Sequence, residues 1–248
     1  MARHDTVLSE DQIAFYAENG YLVAPGLLNP EEVRRFLRHV DDGAPVGTYN
    51  LHGHLRDGEY LALAGQERIV NAVRQLLGGK PRIVQTMLLD KPPIEGKGIA
   101  LHQDLHYLPN DPATPDTLMA CWIALTDTDA DNGGLCVVPG SHKEGLRSVH
   151  RGQDGEEHDS FEEVCNFRDV TGREWQQTMY RYEIDDLDDK LIERLRVPAG
   201  AGVFFTGRTI HGSFRNHSPN RPRRAFATHY VREDTHLLRC DVQETMAV

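Results

Sequence analysis

His102 and Asp104 lie two positions apart in the sequence, with Gln103 between them. On a β-strand, residues i and i+2 point to the same side, so such a pair can hold one metal ion together. Two imidazoles and one carboxylate on one face of a metal leave the opposite positions open, which is typical of iron(II) sites that react with O2. A site of this kind needs one more histidine from a distant strand.

The same spacing also occurs at His39 and Asp41. That pair lies at the end of a helical pattern, where residues two apart diverge by roughly 200°, so it is rejected as a metal site. The chain has 13 histidines, and a short pair of this kind can arise by chance. The His-x-Asp pair therefore predicts little by itself.

His211 is the best candidate for the third ligand. It lies between an apolar run at 202–205 and a predicted strand at 225–231, with Ser213 and Arg223 following it. In a jelly roll this order places a histidine and an arginine on neighbouring strands. An arginine there can form a bidentate pair with a carboxylate, and a serine can add a hydrogen bond. A dicarboxylate co-substrate would then be chelated to iron at one end and held by Arg223 at the other.

Other sites fit these residues less well. His102 and His106 have the spacing of a zinc protease, but that site requires Glu at the second position, where this chain has Gln103. The segment also has the pattern of a strand and loop instead of a helix. Gly140-Ser141-His142 lacks the flanking residues of a nucleophile elbow. Either His102 or His211 alone is more simply interpreted as a structural histidine. Only the His-x-Asp pair, the distal histidine and the following arginine, in that order along the chain, favour a metal site.

The composition excludes several other classes of function. The 248-residue chain has a formal net charge of −11, which disfavours binding to nucleic acid or to an anionic membrane surface. No apolar run reaches the ~18–20 residues of a membrane span, and the first residues lack the apolar region of a signal peptide. A cytoplasmic location is therefore expected. The cysteines show no C-x-x-C pair, so neither a zinc ribbon nor a disulfide scaffold is predicted.

Two different patterns divide the chain. Residues 1–80 have mainly helical patterns, including a helix start with proline at its first position after Asn29. From residue 81 to residue 248, short apolar runs alternate with Gly, Pro, Asn and Asp clusters, which predicts a β-sandwich or barrel. Residues from about 150 to 190 are polar and predict a long loop, either a lid over the site or a solvated insertion. We expect one domain over 1–248.

The motifs around these positions resemble the phytanoyl-CoA dioxygenase family of iron(II)- and 2-oxoglutarate-dependent oxygenases. The resemblance covers nearly the whole chain except about 150–190. The segments that carry it are Glu18 to Tyr21, Gln85 to Pro93, Leu101 to Tyr107, Asp131 to Leu135, Pro139 to Lys143 and His211 to Ser213.

The resemblance implies a mainly β fold with helices, a double-stranded β-helix (jelly roll) with N-terminal helices packed on its outside. It implies iron on His102, Asp104 and His211, and O2 and 2-oxoglutarate as co-substrates. By motif position it also implies 2-oxoglutarate contacts from Met87, Trp122, Ser213 and Arg223. From their residue types alone, Met87 and Trp122 could equally be core side chains.

One departure from the family pattern affects the arginine. The turn after His211 is one residue longer than usual, so Arg224 remains an alternative to Arg223. Adjacent strand residues face opposite sides, so only one of the two can point inward.

The resemblance also bears on the reaction. Halogenating relatives have a small residue in place of the carboxylate ligand, so Asp104 favours hydroxylation, desaturation or ring formation. We expect hydroxylation of a small molecule, an acyl-CoA or a natural-product intermediate, with release of succinate and CO2. The alternative is a metal-binding jelly roll without redox turnover, either a degenerate family member or a cupin-like isomerase.

Two further groups could contact the substrate. Residues 47–60 could line the mouth of the site or form an ordinary loop between helices. Arg215, His217 and Arg221 could attract a phosphate or carboxylate of the substrate, or simply be solvated. The sequence does not define the oligomeric state.

Overall fold

Helices occupy most of the first third of the chain. The computed structural model describes residues 8–43 and 50–248. The α-helices are α1 Glu10–Asn19, α2 Pro30–Asp41, α3 Gly58–Ala64 and α4 Glu67–Leu77. Short 3-10 turns occur at Gly53–Leu55, Asp104–His106, Ser141–Glu144, Asp189–Leu191 and Cys240–Val242.

The helix ends are set by local side-chain and backbone chemistry. The side chain of Asn29 accepts hydrogen bonds from two backbone N–H groups at the start of α2, and Pro30 follows at the first position. Helix α4 ends at Gly78, whose φ of 66° lies in the left-handed region that glycine adopts most easily. No helix within the described residues is long and apolar enough to cross a membrane.

Antiparallel strands make up most of the remaining chain. They are β1 Tyr21–Ala24, β2 Pro81–Lys91, β3 Ile99–His102, β4 Met119–Ala124, β5 Leu135–Val137, β6 Val149–Arg151, β7 Glu162–Arg168, β8 Glu174–Tyr180, β9 Tyr182–Ile184, β10 Glu193–Arg194, β11 Gly202–Thr206, β12 His211–Ser213, β13 Arg223–Arg232 and β14 Met246–Ala247.

Two sheets form the body of the protein. The larger has the strand order β1-β11-β4-β13-β2-β14, and the smaller has the order β10-β5-β12-β3. The mainly helical prediction for residues 1–80 missed strand β1, which joins the edge of the larger sheet beside β11. A run of four apolar residues after Gly20 is too short for its periodicity to distinguish a strand from a helix.

Strand β4 separates two cores. All six of its residues are buried, because helices cover one face of the larger sheet and the smaller sheet covers the other. Met119, Cys121 and Ile123 pack with the helices against residues such as Phe36 and Tyr60. The even-numbered residues of the same strand pack between the two sheets. Because successive side chains of a strand alternate between its two faces, Trp122 faces the smaller sheet.

The sequence predicted one long loop at about 150–190, and this prediction is wrong. The stretch contains the hairpin β7–β8, which is inserted between the two strands of a second antiparallel pair. Strand β6 pairs with β9, and β7 pairs with β8. In the β7–β8 hairpin only a few alternate residues are buried, among them Cys165, Phe167 and Met179. Because the outer face of this hairpin is polar and its inner face has only a few buried residues, its sequence shows little apolar periodicity.

Candidate active site

His102 and His211 face each other across the smaller sheet. His102 ends β3 and His211 begins β12, and the two are direct partners in the antiparallel pairing of these strands. Their ring centroids lie 4.3 Å apart. Strand pairing therefore brings together two histidines that are far apart in sequence.

Asp104 completes a cluster of three potential metal ligands. One ligand atom from each of His102, Asp104 and His211 lies within 4.8 Å of the others. Asp104 Oδ1 lies 3.5 Å from Nε2 of His102 and 3.6 Å from Nε2 of His211. The expected strand geometry ends at His102, because Asp104 opens a 3-10 turn. The carboxylate nevertheless reaches the two imidazoles.

Gln103 fixes the junction between the strand and the turn. Its side chain is fully buried and donates to the carbonyls of Gly145, at 2.8 Å, and Arg208, at 2.6 Å. Its own carbonyl oxygen accepts from the backbone N–H of Arg147. Gln103 is therefore engaged in structural hydrogen bonds, and a role as a protease general base is excluded. His106 does not belong to the cluster of ligands.

Both histidines present the same ring nitrogen to the centre of the cluster. Nδ1 of His102 lies 2.7 Å from the carbonyl oxygen of Ala100, and Nδ1 of His211 lies 3.0 Å from that of Thr209. A carbonyl only accepts, so each Nδ1 carries the proton and each Nε2 has its lone pair free for a metal. Two imidazoles that present Nε2 and one carboxylate fit iron(II).

The charges in the cluster agree with this assignment. Burial lowers the pKa of His211 to about 4, so it is neutral at physiological pH. Burial alone would raise the pKa of Asp104, but His229 and His211 hold it well below its ordinary value. The carboxyl is therefore ionised, as a metal ligand must be.

His229 is a site residue that the sequence did not identify. Its Nε2 lies 3.1 Å from Asp104 Oδ2, and its Nδ1 lies 3.2 Å from Gln85 Nε2. Gln85 is the direct partner of His229 between β2 and β13. An amide N–H only donates, so Nδ1 accepts and the Nε2–H group faces the carboxylate. The only sequence signal was a single histidine within an apolar strand.

Arg223 and Arg224 face opposite sides of β13. Arg223 is 1% exposed, its Nε donates to the carbonyl of Gly133 at 3.1 Å, and its guanidinium lies 5.9 Å from the Trp122 ring centroid. Arg224 instead forms ion pairs with Asp41 at 2.8 Å and Asp90 at 3.3 Å. Of the two, it is Arg223 that points towards the histidine cluster.

One cavity of about 660 Å³ contains all the residues that the sequence singled out as ligands or co-substrate contacts. They are His102, Asp104 and His211 together with Met87, Trp122, Ser213 and Arg223. Met87 and Trp122 thus have apolar contacts but also border the open space of the site.

The β7–β8 hairpin and the residues that flank it border this cavity too. Phe161, Glu163, Met179 and Arg181 are among its lining residues. The backbone N–H of Tyr182 donates to the hydroxyl of Tyr107 at 2.9 Å, which ties β9 to the turn after the metal cluster. The β7–β8 hairpin and its flanking residues therefore form one wall of the site.

Other expected substrate contacts are placed elsewhere. Within the described residues, the cavity lining does not include Arg215, His217 or Arg221. Arg221 forms a two-point ion pair with Asp129, at 2.8 and 3.0 Å. Of the predicted mouth at 47–60, positions 47–49 lie outside the described residues, and Leu51 lines the cavity.

Comparisons with known proteins identify the family of this chain. Residues 16–225 match the family model for phytanoyl-CoA dioxygenase (PhyH). The peroxisomal phytanoyl-CoA dioxygenase of Bos taurus is 28% identical, over 98% of this chain and 74% of its own length. The ectoine dioxygenase of Stutzerimonas stutzeri (strain A1501) is 27% identical, over 86% of this chain and 74% of its own length.

Solved structures confirm the predicted jelly roll. EctD from S. alaskensis with 2-oxoglutarate and 5-hydroxyectoine has a TM-score of 0.69 at 18% identity, covering 96% of this chain and 80% of its own. The epimerase SnoN with Fe3+, alpha ketoglutarate and nogalamycin RO has a TM-score of 0.68 at 20% identity, covering 92% and 85%. Since the family model matches most of the sequence, this protein belongs to the phytanoyl-CoA dioxygenase family and is a non-haem iron- and 2-oxoglutarate-dependent dioxygenase.

Proposed function

We propose that this protein hydroxylates an unactivated C–H bond of a small molecule and converts 2-oxoglutarate to succinate and CO2 in the same cycle. The observation that carries the proposal is the convergence of His102, Asp104 and His211 in a cavity that also contains Arg223. A retained carboxylate ligand, two imidazoles and a buried arginine are together the groups that this chemistry requires.

Each polar residue has a separate role in this proposal. His102 and His211 would bind the iron through Nε2, and Asp104 would bind it through Oδ1. Arg223 and Ser213 would hold the distal carboxylate of 2-oxoglutarate, which is the charge-assisted pairing that arginine favours. When bound, iron would activate O2, which is the oxidant, and 2-oxoglutarate would supply two electrons as it is oxidised to succinate and CO2.

The apolar side chains orient the reactants and exclude water. Phe205 lies against His211, with 4.1 Å between ring centroids. Met87 and Trp122 border the same space. A dry, shaped site limits side reactions and keeps the target C–H bond in place. Asp104 occupies the position that a halide would need, so hydroxylation is proposed over halogenation.

The cavity supports a small molecule as substrate. A volume of about 660 Å³ lies within the range of ~300–1,000 Å³ of small-molecule sites, and part of it is needed for 2-oxoglutarate. Tyr107 and Phe161 form an aromatic pair at its edge, with 6.0 Å between centroids. A natural-product intermediate fits this space, as does the acyl end of an acyl-CoA. The relatives include a phytanoyl-CoA dioxygenase and an ectoine dioxygenase.

The first test requires no substrate. Iron(II) and 2-oxoglutarate are added anaerobically to the purified protein, and the visible metal-to-ligand charge-transfer band is recorded. We expect a band in the wild type, its loss in His211→Ala, a weaker band in Arg223→Ala and no change in His217→Ala, an exposed control. Iron binding without any band in the wild type would reject the assignment and favour a metal-binding protein without redox turnover.

A substrate screen by succinate release then identifies the reaction. Hydroxylation adds one oxygen atom to the product mass, whereas desaturation or ring formation removes two hydrogen atoms. Product mass spectrometry therefore separates the proposed hydroxylation from these two outcomes.

A further inference from the structure

Lys91 is a buried basic side chain beside Arg223. It ends β2 and is the direct partner of Arg223, the first residue of β13. Directly opposed residues of an antiparallel pair have Cβ atoms ~4.5–5.5 Å apart on the same face, and like charges there are destabilising. Lys91 and Arg223 are 0% and 1% exposed. Two basic side chains are thus held side by side away from water.

The hydrogen-bond partners of Lys91 are neutral. Its Nζ donates to Ser213 Oγ at 2.7 Å and to the carbonyl of Phe214 at 2.8 Å. Among the described residues, no carboxylate oxygen lies within 4.0 Å of Nζ, the distance limit for an ion pair. Glu157 acts on Lys91 at longer range, and its Oε1 accepts from the backbone N–H of Arg215. A buried ammonium group without a counter-ion is unfavourable.

Ser213 connects Lys91 to the open cavity. A charged lysine ammonium group only donates hydrogen bonds, whereas a serine hydroxyl has one proton and two lone pairs. Because Ser213 Oγ accepts from Lys91, its own proton is available to an acceptor in the cavity. Lys91, Ser213 and Arg223 all line that cavity. The acceptor that suits these three groups is a carboxylate.

We propose that Lys91 is a second cation for the distal carboxylate of the co-substrate, acting through Ser213 beside Arg223. It makes the site selective for 2-oxo acids that carry a second carboxylate. The inference rests on the proposed contacts of Ser213 and Arg223 with 2-oxoglutarate, and it adds a positioning residue to them.

The electrostatic surroundings of Lys91 support this role. Burial lowers the pKa of Lys91 to about 6, and the charge of Arg223 acts in the same direction. A carboxylate placed nearby favours the charged form, so co-substrate binding at neutral pH should be accompanied by proton uptake. The other groups that act on Lys91 are Cys136, Glu157 and His158. Burial raises the pKa of Cys136 to about 11, so this thiol stays neutral.

Two ligands and one substitution test the proposal. Lys91→Met removes the charge at similar side-chain length, and 2-oxopentanoate is 2-oxoglutarate without its second carboxylate. Both acids are titrated into the iron(II)-loaded protein anaerobically, following the charge-transfer band. We expect Lys91→Met to weaken 2-oxoglutarate binding roughly 10- to 100-fold and to leave 2-oxopentanoate binding nearly unchanged. Lys80→Met, at the exposed opposite end of β2, should bind both acids as the wild type does.

A second variant tests the path through Ser213. Ser213→Ala should show the same selective loss, and the double variant should lose less than the product of the two single losses, because both groups act on one carboxylate. If Lys91→Met does not fold, as judged by circular dichroism, Lys91→Gln is titrated in its place.

The outcomes separate this proposal from the proposed function. Equal losses for both acids, or no loss with 2-oxoglutarate, would overturn the role of Lys91 while the wild-type band stays intact. Absence of the band in the wild type would instead reject the 2-oxoglutarate site itself.

Discussion

The two oxygens of Asp104 have different surroundings. Oδ1 faces the Nε2 atoms of His102 and His211, whereas Oδ2 lies beside His229 at 3.1 Å. Because Oδ2 faces His229 and Oδ1 faces the two other histidines, the carboxylate would bind a metal through Oδ1 only. One-point binding leaves the positions that a co-substrate and O2 require. His229 therefore helps to decide how many positions of the metal stay open.

At the residue scale, we expect His229→Leu to weaken iron(II) binding roughly 10- to 100-fold, since partners of metal ligands typically contribute this much. His229→Gln retains a donor towards Asp104 and should lose less. The affinity is measured anaerobically by competition with a chromophoric chelator, with His217→Leu as an exposed control. Wild-type affinity in His229→Leu would show that Asp104 needs no help from this histidine.

Some residues of the site were visible in the sequence and others were not. His102, Asp104, His211 and Ser213 lie in short motifs whose spacing has a direct geometric meaning. His229 and Lys91 acquire their positions only from pairing, because their partners Gln85 and Arg223 are on another strand. Register is a property of the folded sheet, so a single sequence carries no local signal for it.

At the element scale, strand β2 is the support for both ends of the site. It carries Gln85 and Met87 near the metal cluster and Lys91 at the co-substrate end. The predicted division into helices and strands was correct where periodicity extends over many residues. The prediction missed β1 and the strands at about 150–190. Strands that are short, or that are polar on one face, have too few apolar positions to define a period.

The 3-10 turn Gly53–Leu55 docks on the same strand through His54. The backbone N–H of His54 donates to Thr86 Oγ1 at 2.9 Å, and its side chain is buried. Burial, with the nearby His52, lowers the pKa of His54 to about 4. The unfolded chain takes up a proton near pH 6.5 but the folded protein does not until about pH 4, so stability is present above pH 6.5 and is lost as the pH falls.

We therefore expect the free energy of unfolding to fall between pH 6.5 and 4, with roughly 1–3 kcal/mol of that loss due to His54. Urea unfolding followed by circular dichroism at a series of pH values measures it. His54→Gln should show a shallower pH dependence over that interval, and His217→Gln should match the wild type. Parallel curves for wild type and His54→Gln would contradict the assignment.

At the scale of the whole molecule, the metal site joins distant parts of the chain. The proposed ligands come from β3, the turn at Asp104–His106 and β12, and the smaller sheet brings β3 and β12 together as neighbours. The unfolded chain holds no such site. A metal that binds only the folded protein must stabilise the whole fold, and the extent depends on its concentration relative to its dissociation constant.

We expect iron(II), added anaerobically at about 100 times its dissociation constant, to raise the free energy of unfolding by about 2.7 kcal/mol. 2-Oxoglutarate should add a further increment only when the metal is present, because the iron chelates one end of it. Thermal unfolding followed by circular dichroism measures both steps, with His217→Ala as the control. His211→Ala should lose both increments and Arg223→Ala mainly the second. A stabilisation by iron that persists in His211→Ala would place the metal elsewhere in the protein.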